Sequence, residues 1–213
     1  VNVIDLSHGI SAEMSVYPGT EAPLIEEVNN IEESGFSERK ISLFSHTGTH
    51  IDAPSHMLKT GKHLGQFNVG YFIGAAGVID FSNINRDKIT KDVLEGYGDY
   101  IDRIEYLIIS TGWSAYWGTD DYFAGYPTLT VETIRWLNDN FNLRGLGVDA
   151  ISVDHWNSNS FPIHMELFKK GKIIIENLTN LDSLLNKKFT LSCLPLKIDD
   201  ADGSPTRAIA ILE

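Results

Sequence analysis

Cysteine is almost absent from this chain, with Cys193 the only one in 213 residues. No internal disulfide framework and no cysteine-based zinc finger can be built from it. Long apolar runs are missing as well. The longest, Tyr71–Ile79, stops at Asp80, far short of the roughly 20 residues that a membrane span needs. Positive charge is scarce: 17 Lys and Arg stand against 29 Asp and Glu, a formal net charge of −12. A surface that negative repels phosphate backbones and anionic lipid, and the densest basic cluster is only Lys169, Lys170 and Lys172. Nucleic acid and membranes are therefore not expected partners. The segment Val1–Ser7 lacks the basic start and apolar stretch of a signal peptide, which makes the cytoplasm the expected compartment. The chain also carries no P-loop and no G-x-S-x-G elbow for a serine nucleophile.

What is present suits an ordinary folded domain. Apolar residues make up 42% and charged residues 22%, enough to bury a core and too little charge for general disorder, so 1–213 is read as a single domain. Short apolar or alternating segments predict strands at Val1–Leu6, Leu24–Val28, Ser37–Phe44, Gly70–Asp80, Ile104–Ser110, Leu146–Ile151, Lys172–Glu176, Phe189–Leu196 and Arg207–Leu212. Helical spacing fits Thr90–Tyr97 and Thr130–Phe141. In the second, Val131, Ile134, Leu137 and Phe141 share one face and Thr130 is placed to cap. A third, shorter helix is predicted from Phe161–Pro162 to Gly171. Strands outnumber helices in irregular order, which predicts an α/β or α+β domain with a mixed sheet rather than a regular βαβ array.

The chemistry concentrates in one stretch. Three of the seven histidines fall within His46-Thr-Gly-Thr-His50-Ile-Asp52-Ala-Pro54-Ser-His56. Imidazole and carboxylate together suit Zn²⁺, Mn²⁺ or Fe²⁺. Positions 46, 50, 52 and 56 have one parity, so an extended chain would turn all four to the same side, with Gly48 and Pro54 opening the strand end into a loop. Further candidates are His155, His164 in the first turn of the third helix, and Glu176. A carboxylate ending a buried apolar strand is costly unless paired or metal-bound.

The segment His46–His56 resembles the signature of the metal-dependent cyclase family, which includes bacterial kynurenine formamidase and isatin hydrolase. Tyr17-Pro18-Gly19 is similar to the family's early aromatic-Pro-Gly turn, and Phe161-Pro-Ile-His164 with Ile173-Ile-Ile-Glu176-Asn177-Leu178 to its His…Ile-x-Glu-Asn-Leu block. Leu194-Pro195-Leu196-Lys197 and Asp202-Gly203-Ser204-Pro205-x-Arg207 resemble its closing strands, so the likeness spans nearly the whole chain in order. It implies a compact β/β/α fold assembled as a homodimer or homotetramer. It further implies one metal on His46, His50 and Asp52, with Asp52 bridging to a second on His164 and Glu176. One or two Zn²⁺ ions, or Mn²⁺, would serve. His56 is implied as proton donor and acceptor, and Tyr17 as a substrate contact. The expected reaction is hydrolysis of a small aromatic amide or formamide, as by an arylformamidase. Tyr17 stands where kynurenine formamidases more typically carry Trp, which keeps isatin and other cyclic amides in view. A non-enzymatic metal-binding protein and a degenerate scaffold are the competing classes; the second lacks support, because every implied ligand is present.

Other patterns carry less. Gly145-Leu-Gly147-Val-Asp-Ala150 matches a dinucleotide fingerprint but runs into Ile151–Asp154 instead of opening a helix. Asp154-His155, beside Trp156, reads as a pocket wall or a support behind the ligands. His8 and His63 read as structural or solvated, and Cys193 as a small buried apolar residue. The aromatics Trp113, Tyr116, Trp117, Tyr122, Phe123 and Tyr126 suit either a subunit interface or local core, or an aromatic substrate pocket.

Overall fold

The computed structural model describes residues 1–84 and 87–212. Its strands are β1 (Asn2–Asp5), β2 (Leu24–Asn29), β3 (Glu38–Ser42), β4 (His50–Asp52), β5 (Ile73–Asp80), β6 (Lys88–Ile89), β7 (Tyr106–Ser110), β8 (Thr128–Leu129), β9 (Gly145–Val148), β10 (Ile173–Glu176), β11 (Phe189–Ser192), β12 (Gly203–Pro205) and β13 (Ile209–Leu212). The α-helices are α1 (Ile31–Ser34), α2 (Lys91–Glu95), α3 (Gly98–Ile101), α4 (Val131–Asn140) and α5 (Pro162–Lys169). Among the described residues, nine strands share one sheet in the order β1-β13-β11-β5-β7-β9-β10-β4-β12. Its centre, β5-β7-β9-β10, is parallel, and both flanks are antiparallel. The mixed α+β architecture expected from the sequence is the one found.

Parallel strands covered on both faces read as unbroken apolar runs, and every residue of β7, β9 and β10 is buried. Alternation then divides each strand between two cores. Tyr106, Ile108, Ile173 and Ile175 join Leu6, Ile51, Phe72 and Leu191 on one face. Leu107, Ile109 and Ile174 face the other, against Leu94 of α2, Ile134 and Leu137 of α4, and Ile163, Leu167 and Phe168 of α5. The predicted helix at 130–141 holds to within a residue at each end, its first turn capped by the Thr130 hydroxyl accepting from the Thr133 N–H.

Some boundaries move. The helix expected over 90–97 stops after Glu95, at Gly96, and α3 begins after it. The strand expected from Gly70 starts at Ile73, after a 3-10 turn over Val69–Phe72. The pattern Gly145–Ala150 is strand and turn, with no helix following, so it forms no dinucleotide site. Cys193 is fully buried, as expected. No helix among the described residues is long and apolar enough to cross a membrane.

Among the described residues two two-stranded units lie outside the nine-stranded sheet, the parallel pair β6–β8 and a hairpin. β2 and β3 form a hairpin of their own, with Arg39–Glu27 and Lys40–Glu26 ion pairs across it. Its apolar residues Leu24, Val28 and Ile41, with Ile31 and Phe36 of the connection, are all at least half exposed.

Candidate metal centre

Strand pairing assembles the first three side chains. β4 lies between β10 and β12, antiparallel to both, with His50 opposite Glu176 and Asp52 opposite Ile174 and Gly203. A spacing of two on β4 puts His50 and Asp52 on one face, and the cross-strand partner Glu176 joins them. His164 arrives from the first turn of α5. The Asp154 carboxylate accepts from the Ile163 and His164 backbone N–H groups at 2.8 and 3.1 Å, covering donors that a helix N-terminus leaves open, and from His164 Nδ1 at 2.7 Å. One carboxylate thus both starts the helix and aims the ring.

The parity expectation holds only within β4. His46 precedes the strand in a turn and His56 follows it, at the end of a 3-10 turn over Pro54–His56. They reach the site because the chain bends: Gly48 adopts φ +63°, a conformation glycine enters without steric cost. The Gly48 carbonyl accepts from His50 Nδ1 at 2.8 Å and from Asn177 Nδ2 at 2.7 Å. Gly203 makes room for the His46 ring, since a Cβ there would lie 2.5 Å from its Cε1.

The distances suit divalent ions. His50 Nε2 stands 3.1 Å from Asp52 Oδ1 and 3.5 Å from Glu176 Oε2. His164 Nε2 stands 3.6 Å from Asp52 Oδ2 and 3.4 Å from Glu176 Oε1. Bonds of about 2.0–2.1 Å at tetrahedral angles space two ligand atoms about 3.3–3.4 Å apart. Each carboxylate therefore turns one oxygen toward each imidazole, at spacings that would let a divalent ion sit between them. Because His50 Nδ1 and His164 Nδ1 are committed to Gly48 O and Asp154, each neutral ring turns a lone pair toward two carboxylate oxygens. Acceptors meeting acceptors in a buried place need a proton or a cation between them. His46 Nδ1 hydrogen-bonds Asp52 Oδ1 at 2.5 Å, and its Nε2 reaches Asp202 Oδ2 at 3.0 Å.

The ionisation directions agree. Burial pushes Glu176 up to about 7, helped by the charge on Asp52 and opposed by His164 and His50. Asp52 is also opposed by burial, yet His50 and His46 hold it well below the carboxylate range. Burial opposes the charge on His164, but Asp154, Asp52 and Glu176 raise it to about 10; Asp52 and Asp202 raise His46 to about 9 in the same way. A site that grips protons this firmly is short of positive charge. His56 goes the other way: burial lowers it, with His46 and His164 adding to that against the pull of Asp52.

The cluster forms the floor of a cleft of about 570 Å³, whose walls include Tyr17, Phe44, Met57, Ile151 and Phe161. Three groups of side chains in it have the spacing to hold a metal ion: His46, His50 and Asp52; Asp52, His164 and Glu176; and His46, His56 and Asp202. All six expected metal and proton-transfer residues and Tyr17 meet in this one place. His155 does not: its Nδ1 pairs with Asn157 Oδ1 outside the cleft, while its neighbour Asp154 is the support behind His164.

The Trp113–Tyr126 aromatics do not line the cleft either. All but Tyr116 pack as a local core with Ala150 and Ile151, and the exposed Tyr116 lies against Trp113. That core still reaches the site, because the Tyr122 hydroxyl donates to Asn177 Oδ1 at 2.7 Å, behind His50. His8 is structural, its N–H on Thr49 Oγ1 and its ring stacked on Trp117 at 4.1 Å. Asp202, Asn177, Phe44 and Phe161 were given no role by sequence. The signal for Asp202 lay in the Asp202-Gly203-Ser204-Pro205-x-Arg207 segment, which resembles the family's closing strands without marking the carboxylate's place.

A family model described as putative cyclase matches residues 4–155. A kynurenine formamidase of Bacillus cereus is 35% identical over 208 residues, 97% of this chain and 95% of that protein. Isatin hydrolase A from Labrenzia aggregata, solved bound to benzyl benzoate, superposes with a TM-score of 0.90 at 29% identity, over 100% of this chain and 94% of that one. A structure described as a predicted metal-dependent hydrolase from Bacillus stearothermophilus gives 0.79 at 27% identity, covering 98% and 97%.

Proposed function

Since the chain belongs to the Cyclase family, we propose that it is a metal-dependent hydrolase cleaving the C–N bond of a small aromatic formamide, as an arylformamidase does. The observation that carries the reading is the floor: two buried carboxylates, each turned toward both His50 and His164, below an aromatic-walled cleft. His46, His50 and Asp52 are assigned to one ion and His164 and Glu176 to a second, with Asp52 bridging. Zn²⁺ is the expected ion and Mn²⁺ the alternative, since nitrogen and oxygen donors serve both. A divalent ion bound there lowers the pKa of water to about 7 and polarises a carbonyl oxygen. Of the chain's own groups, His56 moves the proton to the leaving nitrogen, its lowered pKa leaving the imidazole free to accept one near neutrality. Tyr17, Phe44 and Phe161 hold the flat ring, while Met57 and Ile151 keep bulk water from the reacting carbon.

Cyclic amides of the isatin type are the second reading, favoured by the 0.90 TM-score with isatin hydrolase A and by Tyr17 in the aromatic-Pro-Gly turn. The exposed hairpin supports self-association into a homodimer or homotetramer, and the cytoplasm is the proposed compartment.

The test is turnover of N-formyl-kynurenine and of isatin by zinc- and manganese-loaded protein, before and after chelation. Formamide cleavage that disappears on chelation and returns with metal is the expected result. Cleavage of isatin alone would move the substrate, and turnover unaffected by metal removal would overturn the mechanism. His56→Ala should lose about 10²-fold or more in kcat with metal content unchanged; unaltered kcat would remove His56 from proton transfer.

A further inference from the structure

The third convergent group joins two residues of the mechanism above, His46 and His56, to one that has no part in it, Asp202. His46 Nε2 and His56 Nδ1 stand 3.0 and 3.5 Å from the same oxygen, Asp202 Oδ2. The two rings lie 3.9 Å apart, tilted by 39°. These spacings bracket the roughly 3.3–3.4 Å between ligands of one tetrahedral zinc. We propose that His46, His56 and Asp202 form an outer cation site that takes a further zinc ion above the catalytic floor and inhibits the enzyme by occupying His56. The proposal rests on the amide-hydrolase reading only for its inhibitory half.

Exposure separates the two levels. The side chains of His46, His56 and Asp202 are 23%, 29% and 44% exposed, whereas those of Asp52, His164 and Glu176 are 1%, 4% and 6%. The outer group has one carboxylate to the floor's two, so it fills after the floor. His46 connects the levels, with Nδ1 toward Asp52 and Nε2 toward Asp202. If Nδ1 serves the floor, the same ring is shared with the ion above, which weakens the outer site further. An ion there ties the His56 Nδ1 lone pair to a cation, so the ring no longer cycles between its proton-donating and proton-accepting forms. Two imidazoles and a carboxylate select zinc, whereas Mg²⁺ prefers six oxygen ligands and holds its waters.

The experiment titrates protein already loaded with its floor ions, using zinc chloride and, separately, magnesium chloride. Binding is followed by calorimetry and metal analysis, and activity by cleavage of N-formyl-kynurenine. One further zinc ion per chain is expected, with turnover falling as it binds, and no such event with magnesium. Asp202→Asn should weaken that last binding event by at least about tenfold and shift the inhibition to higher zinc by the same factor, each variant being scaled to its own activity without excess zinc. Binding that ends with the floor ions, or a further ion held equally well by Asp202→Asn, would overturn the outer site. A further ion bound with no change in turnover would overturn its inhibitory role. If the outer ion binds as expected while neither formamide nor isatin is ever cleaved, the substrate reading fails and the outer site stands.

Discussion

His50, Asp52, His164 and Glu176 are each no more than 5% exposed, whereas every residue of β3 in the hairpin is exposed. Both regions come from short stretches mixing apolar and polar residues, so composition does not separate them. Partners do. In the floor three of the four are fixed from behind: His50 by Gly48 O, His164 by Asp154, and Glu176 by the Val153 N–H at 2.9 Å. Rotamers are settled before any substrate arrives, which is what pre-organised catalysis requires. The hairpin makes its hydrogen bonds within itself, and a lone two-stranded ribbon is only marginally stable in water. Its apolar side chains are free for another surface.

Substitutions can break that contrast, the largest effect first. Asp52→Asn removes a charge that three imidazoles face; it should lower the occupancy of both metal positions and take turnover toward background, as metal analysis and kinetics would show. A full metal complement at unchanged affinity would refute its bridging role. Asp154→Asn touches no ligand atom of the floor directly, yet it weakens the acceptor behind His164 Nδ1. Metal affinity should fall by about 10–100-fold, measured by competition with a chelator of known strength. If affinity is unchanged, the floor is less dependent on its supports than described. Ile41→Ser in the hairpin should alter folding stability by no more than about 0.5 kcal/mol and leave turnover per chain intact, while light scattering shows weaker association. Lost turnover with metal intact would show that the hairpin of one copy serves the site of another.

Much of this was legible beforehand because it is local or periodic. Buried parallel strands are apolar throughout, α4 carries its cap and its stripe, and Pro162 marks the first turn of α5. The candidate ligands His46, His50 and Asp52 and the neighbouring His56 lie close in sequence, while His164 and Glu176 were distant candidates that the resemblance tied to them. Less legible was what depends on pairing between distant segments. Nothing near Asp202 announces that β12 runs beside β4 and brings it to His46. Parity misplaced His46 and His56, because a left-handed glycine and a 3-10 turn replace extended chain on either side of β4. The aromatics after β7 suit a local core or a pocket lining by type alone; burial sends most of them into the core, and cleft walls come from Tyr17, Phe44 and Phe161.

The sheet order also sets a timetable for birth. β13 lies between β1 and β11, so β1 has no sheet neighbour until a strand from the far end of the sequence has been made. The Arg207 guanidinium that grips Asp5 at 2.6 Å arrives equally late. Pairings between such remote segments put folding on the order of milliseconds to seconds rather than microseconds. Until then β1 is an open edge inviting the wrong neighbour. Trimming a few residues from the last strand would therefore cost more than an edge: it would remove the bridge that joins the start of the chain to the rest of the sheet.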